Sequence, residues 1–404
     1  MKNPIDWLLS AEAIRERSQQ IYQIGLSGQL EHFSVHPDKL EACAEFVFET
    51  TRENYPDLNV PFHSRWRHFT VNSEDRWKKY CSERSLNDME KARIGFDIVF
   101  VSVLLDAGAG DAWTYKDNMS GETLSRSEGL AIASLDMFLR GDFSSDSNNP
   151  WQADAHGLIR LSQETLANGF QVSDANPLSG FDNRLELLRR LGRQVDQRFG
   201  CANDPNPRVS AFLETLKNKY NASLTAGSLL HETLHYFVDM WPHGKIINNQ
   251  CLGDVGVHSK VKGEGLTNNL VPFHKLSQWL SYSLVEPLEW AGISATDLDQ
   301  MTGLPEYRNG GLFIDMGVLQ PKEHVLQVTH SAAAEPIVEW RALTVCLLDE
   351  LAMIIRNNLN RTADELPLVK ILQGGTWTAG RKIAKQLRAN GTPPIRLNNE
   401  GTVF

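Results

Sequence analysis

The sequence is short of cysteine, of basic charge and of long apolar runs, and each shortage removes a class of protein. Five cysteines in 404 residues (Cys43, Cys81, Cys201, Cys251, Cys346) are odd in number and lack metal-site spacing. A disulfide framework is therefore excluded, and reduced, mostly buried thiols are expected. No stretch approaches a membrane span; FDIVFVSVLL is too short. The opening MKNPIDWLLSAEAIRER has no adequate apolar run before a cleavage signal, so a cytoplasmic protein with no membrane partner is expected. Forty basic residues against fifty acidic ones give a formal net charge of -10. That argues against a nucleic acid held by backbone neutralisation. It leaves room for a small anion, which needs only a local cluster of Arg or Lys. Regular βαβ alternation, internal repeats and low-complexity tracts are also missing.

Helical patterns fill the chain. The longest, HSAAAEPIVEWRALTVCLLDELAMIIRNN over residues 330 to 358, is apolar round most of its circumference and marks a central buried helix. Its charged residues must then pair internally or line a pocket. Further helices are expected over 6–24, 85–105, 182–199, 208–238 (in two pieces) and 272–290, the last bent or ended by Pro287. VPFHSRWRHF reads as a loop or short extended piece, and GLPEYRNGGLFIDMGVL as a turn with one or two strands around Asn309-Gly310. Near the end, GGTWTAGRK reads as a Gly-rich turn opening a basic helix. The expected fold is mainly α with a few short strands. It forms a single compact unit over 1–404, within which the polar break CANDPNPR offers a boundary between two helical lobes (1–204 and 205–404) with the active site between them.

Several acids lie among apolar residues. Asp106 and Asp111 flank a Gly-rich turn at the end of a buried helix, Asp315 sits in GGLFIDMGVL, and Glu339 in EPIVEWRALT. A carboxylate in an apolar pocket can serve as general acid or base; a pair can divide the labour at a sugar centre. The bland alternative is that Asp106 caps a helix and Glu339 pairs with Arg341 or Arg356. Basic clusters point to an anion. His63, Arg65 and Arg67 would share one side of an extended stretch. Thr376, Trp377, Arg381 and Lys382 would gather at a helix start able to cradle phosphate, though the Walker order is absent. HETLH (His231, Glu232, His235) has the form of a zinc-hydrolase helix, but needs a third ligand. His243, Asp254, His258 and Glu264 are downstream donors without diagnostic spacing, so chance occurrence of the motif is the simpler reading.

LLDAGAGDAWTY, RSEGLAIAS, WPHGK followed by LGDVGVH, NLVPFHKLSQWLSYSLVEPLEWAG, TGLPEYRNGGLFIDMGVL, IVEWRALTVCLLDELA and GGTWTAGRKIA together resemble the fungal and bacterial uracil-catabolism protein family. The resemblance covers nearly the whole chain; HETLH is not among the family's motifs, and Gly256 stands where an aromatic is expected. It implies a place in uracil breakdown after ring opening, acting on a ribosylurea-type intermediate. A more distant similarity to queuosine-salvage nucleosidases implies a helical core like that of the helix-hairpin-helix DNA glycosylases. The implied activity is that of an N-glycosyl hydrolase, releasing urea from a ribosylurea or its 5′-phosphate without metal or other cofactor. Asp315 or Asp106 would stabilise the oxocarbenium-like sugar or activate water. Glu339, oriented by Arg341, would bind ribose hydroxyls or urea N–H groups, and Arg65, Arg67, Arg381 or Lys382 would hold phosphate. Two other classes are compatible with the residues: a zinc-dependent amidohydrolase using HETLH, and a non-enzymatic partner of the pathway enzymes.

Overall fold

The computed structural model describes residues 4–241 and 244–398. Helix α1 (Ala11–Leu26) begins at Ser10, whose hydroxyl accepts from Ala13 N at 3.2 Å. Helix α2 (Leu40–Asn54) follows, then α3 (Asp88–Leu104), capped by Asn87 through Glu90 N at 2.9 Å. From Ile94 onward α3 is buried on every side. Asp97 inside that run is tied to Arg208 Nε at 2.8 Å and Ser210 N at 2.7 Å, so its charge is compensated. Next come α4 (Arg126–Arg140), α5 (Lys275–Trp290), α6 (Tyr307–Asp315), α7 (Glu335–Leu359) and α8 (Trp377–Leu387). The short strands form two-stranded pairs, such as Phe33–Val35 antiparallel to Leu319–Pro321. The chain is mainly helical.

Helix α7 is the buried axis expected from its composition. Helices α1 and α2, from the N-terminal half, pack on it, and α3 packs along α5. Elements from both sides of CANDPNPR are thus interleaved. The charges of α7 are all matched: Asp349 with Arg15 at 2.9 Å, Glu350 with the Tyr22 hydroxyl at 2.7 Å, Arg341 with Asp254, and Glu339 with His258.

Four local readings change. The YRNGG stretch is helix α6, not a hairpin. Glu306 starts it by accepting from Arg308 N at 2.8 Å and Asn309 N at 2.7 Å. Gly310 serves a helix crossing: a Cβ there would stand 2.7 Å from the Trp340 ring of α7. RWRHF is a 3₁₀ turn (Arg65–Phe69), so Arg65 and Arg67 do not share the face of a strand. Helix α5 is not ended by Pro287 but continues past it to Trp290. Proline leaves the carbonyl four residues back, that of Ser283, without its usual donor. The Trp66 indole takes that carbonyl at 2.8 Å, while the Ser283 hydroxyl accepts from Arg65 N at 2.9 Å. The proline-freed turn therefore docks the RWR segment. Finally, GGT is the middle of a continuous helical stretch that includes a π turn over Leu372–Thr376. Gly374 and Gly375 let it press against Val47, Thr51 and Val60. Their N–H groups do not stand at a helix start, so the expected phosphate cradle is not formed there.

Candidate active site

One cavity of about 600 Å³ collects residues from both halves of the chain. Its walls include His63, His68, Asp106, Glu306, Trp279 and Trp377, with Asp111 at an exposed edge.

Asp106 arrives on the turn that ends α3, its N–H returning to Val103 O at 3.0 Å. Behind it lies Arg65, wholly buried, with Nη1 2.7 Å from Asp106 Oδ1. Arg65 is itself fixed from three further directions: Nε donates to Ser102 Oγ at 2.7 Å, Nη1 to Ser127 O at 3.3 Å, and its backbone is held on α5. Burial lowers the Arg65 pKa and Asp106 opposes that fall. The glycine turn that follows is clamped by Arg184, which donates to the carbonyls of Ala107 and Gly108. Gly110 adopts φ +84°, and a Cβ there would strike Ser179 Oγ at 2.3 Å. The carboxylate is thus presented on a backbone with little freedom to move.

Glu306 supplies the second acid. It is buried, and burial pushes its pKa up while Lys275 pulls it back. Lys275, also on the wall, is shifted down by burial against the pull of Glu306 and Asp106. His63 is pushed down to about 3 by burial, its Nδ1 2.9 Å from Gln373 Oε1. Burial and the Arg65 charge lower His68 as well. Both imidazoles are neutral near pH 7. The rings of Trp279 and Trp377 lie about them at 4.6 to 6.3 Å. Trp279 Nε1 and His68 Nδ1 have no hydrogen-bond partner among the described residues. The cavity therefore offers two carboxyl groups in different environments, buried donors, and aromatic walls suited to a small polar ring.

The other residues singled out by sequence stand elsewhere or are already engaged. The Asp315 side chain is shielded in a bidentate pair with Arg388, at 2.8 and 2.6 Å, and is not among the cavity-lining residues. Glu339 accepts from the backbone of His32 and Phe33 at 3.1 and 2.9 Å and meets His258 at 3.1 Å. It ties a strand to α7 and is not among the lining residues. Arg341, expected beside Glu339, instead pairs with Asp254 at 2.8 and 2.6 Å. Asp254 in turn receives Lys275 N at 3.0 Å, and Arg341 Nε reaches Pro305 O at 3.4 Å. Arg341 thereby braces the chain behind Lys275 and Glu306. Of the expected phosphate ligands, Arg67 pairs with Glu286, Arg381 with Glu128 at 2.9 Å, and Lys382 with Glu53 at 2.6 Å. Thr376 is buried in the π turn, and only Trp377 of that group reaches the cavity.

HETLH presents both histidines to solvent, rings 6.4 Å apart. Glu232 turns inward to Lys219 at 2.6 Å and Tyr220 at 2.8 Å. Among the described residues no group of three or more metal-binding side chains forms. His243 lies outside the described residues.

A family model described as Protein of unknown function (DUF1688) matches residues 7–404. The chain belongs to this family. It is 37% identical over 406 residues to Protein urg3 of Schizosaccharomyces pombe, covering 98% of each chain. It is 34% identical over 438 residues to Uracil catabolism protein 4 of Lachancea kluyveri, covering 100% of this chain and 99% of that one. These full-length matches bear out the family resemblance drawn from the motifs. The LLDAGAGDAWTY stretch of this chain carries Asp106 and Asp111 to the cavity.

Proposed function

We propose that this chain acts in uracil catabolism as an N-glycosyl hydrolase, cleaving the C1′–N bond of a ribosylurea-type intermediate to give urea and the free sugar. The names of its full-length relatives support the pathway. The observation that carries the reaction is that two unlike carboxyl groups line one cavity: Asp106 against Arg65, and Glu306 buried with a raised pKa. In this reading Glu306, in its acid form, gives a proton to the departing urea nitrogen as the C1′–N bond breaks. Asp106 faces the positive charge that develops on the sugar and takes a proton from the water that adds to C1′. The proton then returns from Asp106 to Glu306 through solvent. The neutral imidazoles and the indole N–H of Trp279 supply hydrogen bonds to ring hydroxyls or the urea group. A core resembling that of helical DNA glycosylases belongs to the same reading.

A charged cavity favours an enzyme over a partner protein that only organises its neighbours. Incubating the purified chain with ribosylurea and assaying products tests the proposal. Urea and free sugar in equal amounts support it. Ammonia in place of urea points to amide hydrolysis instead, and no turnover of ribosylurea or its phosphate removes the enzyme reading.

A further inference from the structure

Three cations on the cavity lining lack a direct ion-pair partner among the described residues. Arg126 opens α4, Lys275 opens α5, and Arg308 is the second residue of α6; all three line the same space. Among the described residues, none has an ion pair within 4.0 Å or a side-chain hydrogen bond. Arg308 has only the faces of Tyr307 and Trp377, at 5.3 and 5.1 Å. This contrasts with their neighbours. Arg65, Arg67, Arg381 and Lys382 each have a carboxylate partner.

The arrangement is costly for folding alone. Arg308 is 7% exposed, and a buried cation lacking a hydrogen-bonded partner is strongly disfavoured. Helix N-termini carry partial positive charge, so Arg and Lys there oppose the macrodipole where they would be welcome at a C-terminus. Three helices repeat the opposition at one cavity. The first N–H groups of α6 are taken by Glu306 and that of α5 by Asp254, whereas Ser125 makes no such bond at the start of α4. Arg126 also holds φ +55°, a left-handed conformation that a non-glycine residue adopts at a cost. Three cations on one cavity, one of them at the uncapped start of α4, match a group with several anionic oxygens spread round one centre.

We infer that Arg126, Lys275 and Arg308 form a phosphomonoester subsite at one part of the cavity, so that the substrate is a sugar phosphate rather than the free sugar derivative. The inference rests on the cavity being the reaction site. It replaces Arg65, Arg67, Arg381 and Lys382 as the phosphate ligands. Asp106 and Glu306 then act on the sugar while the three cations hold its phosphate.

Calorimetric binding of ribose 5-phosphate and of ribose to the full chain tests this without requiring turnover. Ribose 5-phosphate should bind at least about 100-fold tighter than ribose, and inorganic phosphate should compete with it. Arg308→Met, Lys275→Met and Arg126→Met should each weaken ribose 5-phosphate by roughly 10-fold or more, the range of a charge-assisted hydrogen bond. Their affinity for ribose should stay as in the wild type. Arg308→Met should melt no lower than the parent, since it removes a buried charge that has no ion pair or side-chain hydrogen bond among the described residues. Equal affinities for ribose and ribose 5-phosphate, or variants that weaken both sugars alike, would overturn the subsite. If discrimination holds but ribosylurea and its phosphate release no urea, the reaction proposed above falls and the subsite stands.

Discussion

Arg65 Nη1 stands 2.7 Å from Asp106 Oδ1, with the arginine wholly buried and the acid at the cavity wall. A buried pair contributes little net stability, but breaking it leaves a charge without its partner or a fixed cavity. Arg65→Met should therefore cost roughly 3–5 kcal/mol. Arg67→Met, which removes a part-exposed pair with Glu286, should cost about 1 kcal/mol or less. Urea denaturation of the two variants measures the difference. Equal costs would show that the Arg65 pair is not the structural support described here.

Asp315 is one of the catalytic candidates offered by the sequence, and its place in the fold points to a different job. Its partner Arg388 also donates through Nε to Thr392 O at 2.6 Å, and Thr392 lines the cavity. Asp315 thus bears, through Arg388, on the segment 391–398, most of whose residues line the cavity. Asp315→Asn should raise KM several-fold and leave kcat within about threefold, a split expected when binding geometry rather than chemistry is lost. A collapse of kcat at unchanged KM would restore the catalytic reading.

His63 ties stability to pH. Burial depresses its folded pKa to about 3 from an ordinary 6.5. The unfolded chain therefore takes up a proton that the folded protein refuses. Its contribution is fully present above about pH 6.5 and is lost progressively as pH falls toward 3. His68 and His274 are shifted in the same direction by burial. The melting temperature should fall between about pH 7 and pH 5, and His63→Asn should fall less over that interval. A variant with the parent's slope would contradict the assignment.

The HETLH pair should be dispensable. Both histidines are exposed and Glu232 is committed to Lys219 and Tyr220. The double variant His231→Ala/His235→Ala should keep urea release within about twofold of the parent, as exposed substitutions commonly do. Loss of activity, recovered on adding zinc, would revive the metal reading.

The sequence made the central helix legible because hydrophobic periodicity and burial are the same fact seen twice. It also marked Asp106, on a glycine turn at the end of an apolar helix, where a helix cap was the bland alternative. Apolar flanks showed that Asp315 and Glu339 were buried, yet could not name their partners. Arg388 is 73 residues from Asp315, and His258 is 81 from Glu339. YRNGG looked like a hairpin because Asn-Gly is a turn signal; Gly310 instead admits the Trp340 ring. Arg126, Lys275 and Arg308 were missed because they form no cluster along the chain. Only the convergence of three helix starts brings them together. The available hint was a cation at the first or second position of each helix, where acids are the common choice.

The most direct test of the whole account is single-turnover urea release by Asp106→Asn, read beside its affinity for ribose 5-phosphate. A general base or charge-stabilising carboxylate is worth roughly 10²- to 10⁴-fold. Urea release should fall by that much while binding stays within about threefold, which also shows that the variant is folded. Unchanged urea release with intact binding would contradict the account, because the carboxylate held by Arg65 would then have no part in the reaction.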